Sequence, residues 1–279
     1  MQLAPVQVVE LFPEERAALI ELLSSLDSDE WWRRSIGDWT IHDVALHLWG
    51  GDVNILSGGR DHYNGPPGVQ PASDLSIWKN LVGFINNRNA DWVSATRRIS
   101  PPLLIELLAD SGRQLNRYWP SLDLSAAGPT VNWVGNGPMP MWVHVAREFT
   151  ERWTHQQHIR DAIGKPGMTG RRYLHPVLDT FIRALPYTLR DVRAANGAGV
   201  GFIVTGDAGG EWWAVRERST WRLDNAAPVD VMTAVTLDQD TAWRLLTRGF
   251  APEVAVERAT IDGDPRTGAV VLQMVSMIV

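Results

Sequence analysis

The decisive stretch reads Trp142-Val-His144-Val-Ala-Arg147-Glu148-Phe149-Thr-Glu151-Arg152-Trp153-Thr-His155-Gln-Gln-His158-Ile-Arg-Asp-Ala-Ile163-Gly164. Within it His144, Glu148, Glu151, His155 and His158 are spaced 4, 3, 4 and 3. At about 100° per residue these five side chains share one helical stripe roughly 80° wide. The spacing predicts a helix over 142–163, closed by Gly164 and Pro166. Glu151 and His155 stand one turn apart, so a carboxylate and an imidazole reach one point in space. Both are donors suited to zinc. Trp142, Val145, Phe149 and Trp153 mark the opposite side, so amphipathicity alone also allows a solvated stripe. On that reading Arg147 with Glu151 and Glu148 with Arg152 are ordinary helix-surface pairs. Three imidazoles are an unusual load for a solvated face, where Lys and Glu are the usual occupants.

A third ligand has to come from elsewhere, and His47 is the best placed. It lies in Trp39-Thr40-Ile41-His42-Asp43-Val44-Ala-Leu-His47-Leu48-Trp49, at the border of an apolar face made by Ile41, Val44, Leu48 and Ile55. Its own side carries Asp43, Gly51 and Asn54, which are small or polar and suit a cavity wall. The competing reading is a hydrogen-bonded structural histidine. His144 is the alternative partner if the ligand register moves along the stripe, and His42, His62 and His175 read as surface or structural. Thr40 is a good N-cap with Asp43 in capping-box position, so this helix starts there and runs to about Leu56, stopping at Ser57-Gly58-Gly59. Asp43 is then a cap first and an acceptor for a metal-bound imidazole second.

Outward from these two helices, 7–26 reads as a helix with Pro13 in its first turn, followed by a turn at 27–29. Residues 60–73 are loop, 74–97 a long helix, and Ser100-Pro101-Pro102 opens another that ends near Tyr118. A Gly/Pro-punctuated crossover, 120–141, contains Asn132-Trp133-Val-Gly-Asn-Gly-Pro138, and loops of this length are often functional. After residue 170 the character changes. A helix over 176–193, broken at Pro186, precedes short strands at 201–206, 211–216, 220–223 and 229–237. A helix at 241–247, a strand at 255–261, a turn at Asp262-Gly263-Asp264 and a helix at 266–278 complete the pattern. The expected organisation is four main helices over 1–166 and an α+β domain over 167–279.

Composition narrows the functional classes. The 279-residue chain has a formal charge of −6 and 44% hydrophobic residues, enough for a packed core but without the basic stripe of a nucleic-acid binder. It contains no cysteine, which removes disulfides, cysteine zinc ligands and a cysteine nucleophile. The acidic start is no signal peptide, and no apolar run approaches the roughly 20 residues of a membrane span. The expected setting is cytoplasmic, with neither nucleic acid nor membrane as partner. Fourteen tryptophans suit either a core of large flat residues or an aromatic-lined pocket. There is no G-x-S-x-G elbow, phosphate loop or dinucleotide fingerprint.

Two stretches carry a resemblance to the DinB-like helical bundles, and within them to the mycothiol-dependent maleylpyruvate isomerase family. Gly37-Asp-Trp-Thr-Ile-His-Asp-Val-Ala-Leu-His47-Leu48 is similar to that family's Trp-centred helix start ending in a metal-binding histidine. Arg147 to Gly164 is similar to its E-x-x-x-H segment with a helix-ending glycine. The C-terminal half, through Val235 to Gly249 and Ile261-Asp-Gly-Asp264, resembles the small sterol-carrier-like domain often joined to such bundles. The resemblance therefore implies a DinB-like four-helix bundle followed by a sterol-carrier-like α+β domain. It places the zinc ligands on His47, Glu151 and His155. Many relatives carry Asp three residues after the ligand histidine, where this chain has His158.

The resemblance further implies a zinc-dependent, mycothiol-dependent isomerase or thiol transferase acting on a small anionic metabolite. Three protein ligands leave a fourth position for a thiolate, and with no cysteine in the chain that thiol must be an external cofactor. An anionic substrate calls for an arginine, for which Arg248 and Arg216 are the catalytic candidates. Trp133 and His158 are the cofactor-binding candidates. A metal-dependent enzyme working without thiol and a non-catalytic metal or small-molecule binder are the alternatives. Another divalent metal is the alternative to zinc, and the chain is expected as a monomer or homodimer.

Overall fold

The computed structural model describes residues 4–63, 65, 78–135 and 137–276. The helices are α1 (Phe12–Ser24), α2 (Ile41–Asn54), α3 (Trp78–Thr96), α4 (Pro101–Tyr118) and α5 (Met141–Ala162), then α6 (Arg171–Ile182) and α7 (Leu185–Thr188). The chain divides into two compact units, one of Val9–Leu122 and Arg152–Gly167, the other of Met1–Val8, Asp123–Glu151 and Met168–Val279. The division passes through α5, which is a single continuous helix.

In the helical unit α2 packs on α3 and α4, and α1 on α4. Its core includes Leu19, Leu23, Ile41, Leu46, Leu104, Leu108 and Ile159. The start of α2 is the expected one. The Thr40 side chain accepts from the Asp43 backbone N–H, and Asp43 accepts in return from the Thr40 N–H, a reciprocal capping box. The helix end differs. Instead of stopping at Ser57-Gly58-Gly59, the chain continues through a π-helical turn, Ile55–Arg60, whose wider ring accommodates the two glycines. Most of the expected 60–73 loop, and residues 74–77 of the next expected helix, lie outside the described residues. The tandem prolines occupy the first turn of α4 as expected. A small hairpin, β1 (Arg34–Ile36) with β2 (Trp39–Thr40), was not anticipated. In the crossover, β3 (Ala127–Gly128) pairs antiparallel with β4 (Met139–Pro140) immediately before α5.

The other unit holds β5 (Ala198–Thr205), β6 (Gly210–Glu217), β7 (Thr220–Asp224), β8 (Asp230–Asp238) and β9 (Thr260–Gly263) in one sheet of order β7-β6-β5-β8-β9. All neighbours are antiparallel except β5 and β8. Phe202 pairs with Trp212 and Val200 with Ala214, so these four share a face. Trp212 Nε1 on that face donates to Asp179 of α6. Trp213 projects to the opposite face and lies across Gly201, where a Cβ would meet its ring at 2.7 Å. Helices α8 (Gln239–Leu246), α9 (Pro252–Arg258) and α10 (Pro265–Val271) complete the unit.

Three expectations are corrected here. Residues 255–258 are not strand but the end of α9, because Pro252 occupies the first helical turn and outweighs the alternating Val254-Ala-Val256 pattern; the strand begins later, at Thr260, and runs through Gly263, into the turn expected at 262–264. The helix expected from Pro176 begins at Arg171, with Pro176 inside it, and Pro186 opens the separate α7. The closing helix ends at Val271 rather than 278.

Candidate metal centre

Helix α5 determines the environment of the site. From Arg152 to Ile159 every residue is buried, although Arg152, Thr154, His155, Gln156, Gln157 and His158 are all polar. The solvated-stripe reading fails for this segment. A polar side chain in such a place needs a partner, because burying it without one costs several kcal/mol in apolar surroundings, by about 2–7.

His47 of α2 and Glu151 and His155 of α5 present one ligand atom each, all within 4.8 Å of one another. His47 and Glu151 are half-buried and His155 is buried. The His47 and His155 rings meet edge to face at 4.7 Å between centroids, and Trp39 packs on the other flank of His47 at 5.2 Å. His158 lies next along α5, with its Nδ1 3.4 Å from His155 Nδ1. Two imidazoles and a carboxylate converging at two half-buried and one buried position fit the donor set of a zinc site with an open position. Tetrahedral ligand atoms at about 2.1 Å from an ion stand about 3.4 Å apart.

The other residues singled out in the sequence are distributed more widely. His144 is half-buried and not one of the three converging residues. His158 adjoins His155 without belonging to that group. Trp133 is buried in the turn of the crossover, and Asn136 of the same loop lies outside the described residues. Arg216 on β6 places its guanidinium over the Trp221 ring at 5.5 Å. Its Nε and Nη1 are buried and have no hydrogen-bond partner among the described residues. Arg248 is exposed and adopts φ +57. It lines a cavity of about 380 Å³ with Leu245, Phe250, Leu272 and Met274, and none of the three converging residues lines that cavity. Asp43 caps α2 and pairs with Arg97 at 2.8 Å. Burial raises its pKa, but the hydrogen bonds from Arg97 and Thr40 outweigh that and hold the carboxyl below its usual range. His42 is buried, with Nε2 2.9 Å from the Ile99 carbonyl. His175 sits within α6 against Trp212 rather than capping it.

A second polar cluster, not anticipated from motif or spacing, gathers Arg16, Asp52, Ser111 and Arg152. Asp52, on α2, is fully buried and accepts from Arg16 Nη1 at 2.7 Å and Nη2 at 2.9 Å. It also accepts from Arg152 Nη2 at 2.9 Å and Ser111 Oγ at 2.6 Å. The Arg152 guanidinium lies 5.8 Å from the centroids of both the Phe12 and Trp119 rings, which stack on each other at 4.9 Å. Burial works to raise the Asp52 pKa, yet the two guanidinium groups and Ser111 hold it below the usual carboxylate range. Glu15 is the opposite case. Burial pushes its carboxyl up, more than Arg16, Arg152 and the hydrogen bond from Gln156 pull it down. The available signal was the position of Arg16 and Asp52 on otherwise apolar helix faces, but the partners lie 36 and 100 residues apart along the chain.

Comparison with known proteins agrees with this architecture. Among solved structures, a histidine-to-alanine mutant of the mycothiol-dependent maleylpyruvate isomerase superposes with a TM-score of 0.53 at 15% identity, over 93% of each chain. A structure of the mycothiol-dependent maleylpyruvate isomerase itself gives 0.49 at 14% identity, again over 93% of each chain. At these identities the first likeness speaks to the fold alone. No curated protein matches the chain. A family model, the mycothiol maleylpyruvate isomerase N-terminal domain, matches residues 12–160, a span that includes α1 through α4, α5 up to residue 160 and all three converging residues. With more than half its length matched, the chain belongs to the mycothiol maleylpyruvate isomerase N-terminal domain family, an enzyme family built on a DinB-like helical domain.

Proposed function

We propose that this protein is a metal-dependent, thiol-assisted isomerase or thiol transferase acting on a small anionic metabolite, with His47, Glu151 and His155 holding a divalent ion, zinc foremost. The observation that carries the reading is the convergence of those three donors within 4.8 Å inside the segment that matches the family. Zinc held by three protein ligands keeps one position open and lowers the pKa of a thiol or water placed there. Because the chain has no cysteine, the thiol is external, and mycothiol is the cofactor the family membership favours.

The remaining roles fall to the chain's own side chains. His158 Nδ1 stands 3.4 Å from His155 Nδ1; in the His155 tautomer that carries its proton on Nδ1, His158 accepts it, the outer hydrogen bond that orients a ligand imidazole. It holds that position in place of the aspartate common in relatives. Arg216 carries two buried donors, Nε and Nη1, with no hydrogen-bond partner among the described residues, and charge-assisted hydrogen bonds to an anionic substrate would satisfy them. Arg248 is the second candidate for that role, at the mouth of its own cavity. Trp133 supplies an apolar wall for the thiol cofactor. We assign residues 1–166 to the metal-binding bundle and 167–279 to a sterol-carrier-like α+β domain, an assignment supported by the five-stranded mixed sheet in the second half. No helix among the described residues is long and apolar enough to cross a membrane, in keeping with a cytoplasmic setting.

The test begins with metal content. The purified protein is expected to carry about one zinc or similar ion per chain, and His47→Ala or His155→Ala should remove most of it. Full occupancy in both variants overturns the site. On metal-loaded protein, mycothiol should raise the melting temperature, and His47→Ala should abolish that shift. Absence of any shift in the loaded wild type overturns the thiol assignment.

A further inference from the structure

Asp52 joins four helices. Its two oxygens are saturated by Arg16 of α1, Ser111 of α4 and Arg152 of α5, while the residue itself belongs to α2. Side-chain exposure is 0% for Asp52, 3% for Arg152 and 8% for Arg16. Buried ion pairs of this kind are an inefficient source of stability, since apolar residues of similar volume often serve as well or better. Directional, charge-assisted hydrogen bonds instead discriminate one helix register from another, which an apolar contact does poorly.

Position gives that discrimination a target. Asp52 lies five residues beyond His47, about 7.5 Å along α2 and about 140° round it. Arg152 directly follows Glu151 and precedes His155 by three residues. The two helices that carry the converging donors are therefore tied to each other, one helix flank away, by the Asp52–Arg152 pair. A slide of one turn, about 5.4 Å, breaks the pair and separates His47 from Glu151 and His155 together. The Phe12 and Trp119 rings on the Arg152 guanidinium hold the other partner of the pair in place.

We propose that Asp52, with Arg16, Arg152 and Ser111, is a positioning network that sets the register of α5 against α2 and thereby pre-forms the metal site. The proposal rests on the reading of His47, Glu151 and His155 as metal ligands. None of the four residues touches the ion; their effect is to hold its ligands.

The test separates stability from ligand placement. Zinc affinity is measured by competition with a chromogenic chelator, zinc release by the rate of extraction into excess chelator, and apo-protein stability by urea unfolding. The triple variant Arg16→Met/Asp52→Leu/Arg152→Met replaces the network with apolar side chains. It is expected to unfold cooperatively near the wild-type midpoint while binding zinc at least about tenfold more weakly and releasing it faster, the size of loss typical when residues behind metal ligands are changed. If it fails to fold, Asp52→Asn, which keeps shape and removes charge, decides the question by the same readouts. Arg152→Lys keeps the charge without the planar fork and should fall between the two. A folded triple variant, or failing that a folded Asp52→Asn, with wild-type zinc affinity and release overturns the positioning role. Wild-type protein with no zinc affinity overturns the metal reading instead, a result distinguishable from affinity that wild type and variants share.

Discussion

Glu15 and Asp52 are buried carboxylates facing the same two guanidinium groups, yet their proton affinities move in opposite directions. Asp52 takes four hydrogen bonds from Arg16, Arg152 and Ser111 and stays ionised. Glu15 has Gln156 on one oxygen and, among the described residues, no hydrogen-bond partner on the other, so burial dominates. The signs follow by linkage. A carboxyl raised in the folded state above its unfolded value of 4.5 favours folding when protonated, and that contribution is lost as pH rises through the folded value. Asp52, lowered in the folded state, contributes stability present above its unfolded value of 3.8, lost as pH falls through the folded value. Urea unfolding from pH 4.5 upward should therefore show a decline in stability due to Glu15, and Glu15→Gln should flatten it. A Glu15→Gln variant with the wild-type pH slope would show that Glu15 does not titrate in this way. At this scale spacing made Glu151 and His155 candidates and the family resemblance selected His47, but their surroundings were not legible, because an arginine on an apolar face has the same letter whether its partner is water or Asp52.

Among the elements, α2 is the one whose local chemistry can be read and tested most sharply. Gly50 and Gly51 are adjacent in the helix and differ only in what surrounds them. A Cβ on Gly50 would lie 2.5 Å from Trp92 Nε1, and that indole is fixed by its hydrogen bond to the Leu46 carbonyl. A Cβ on Gly51 meets nothing within 4 Å. Gly50→Ala should therefore destabilise by about 1–3 kcal/mol through overpacking. Gly51→Ala should stabilise by about 0.5–1 kcal/mol, the ordinary helix-propensity gain. Chemical denaturation of the two variants checks both values, and equal effects would contradict the packing described. The elements also show where local reading works. The start of α2, the tandem-proline start of α4 and the end of α5, with Gly164 at φ +66, are fixed by residues within a few positions of the boundary. The strand expected at 255–261 proved helical over 255–258 for a related reason. Pro252 at the first helical turn was a local signal too, but the alternating Val254 and Val256 pointed the other way.

For the molecule as a whole, binding at the three converging donors should appear as global stability, because an ion that binds only the folded chain stabilises it by mass action, about 4 kcal/mol at a thousandfold excess over its Kd. Zinc should raise the melting temperature, a chelator should reverse the rise, and His155→Ala should respond to neither. A response retained in that variant would place the stabilising ion elsewhere. The chain alone established a helical first half, an α+β second half and the spacing that puts Glu151 and His155 one turn apart. Those features depend on periodicity, caps and turns, which act over a few residues. Tertiary structure decided that Glu148, His155 and His158 of the polar stripe of α5 are interior rather than wet. It brought His47 within 4.8 Å of its partners and tied α2 to α5 through Asp52 and Arg152. These outcomes depend on which side chains meet across about a hundred residues of chain, and the free energy that selects them comes from burial and paired charge, neither of which is a property of any one segment.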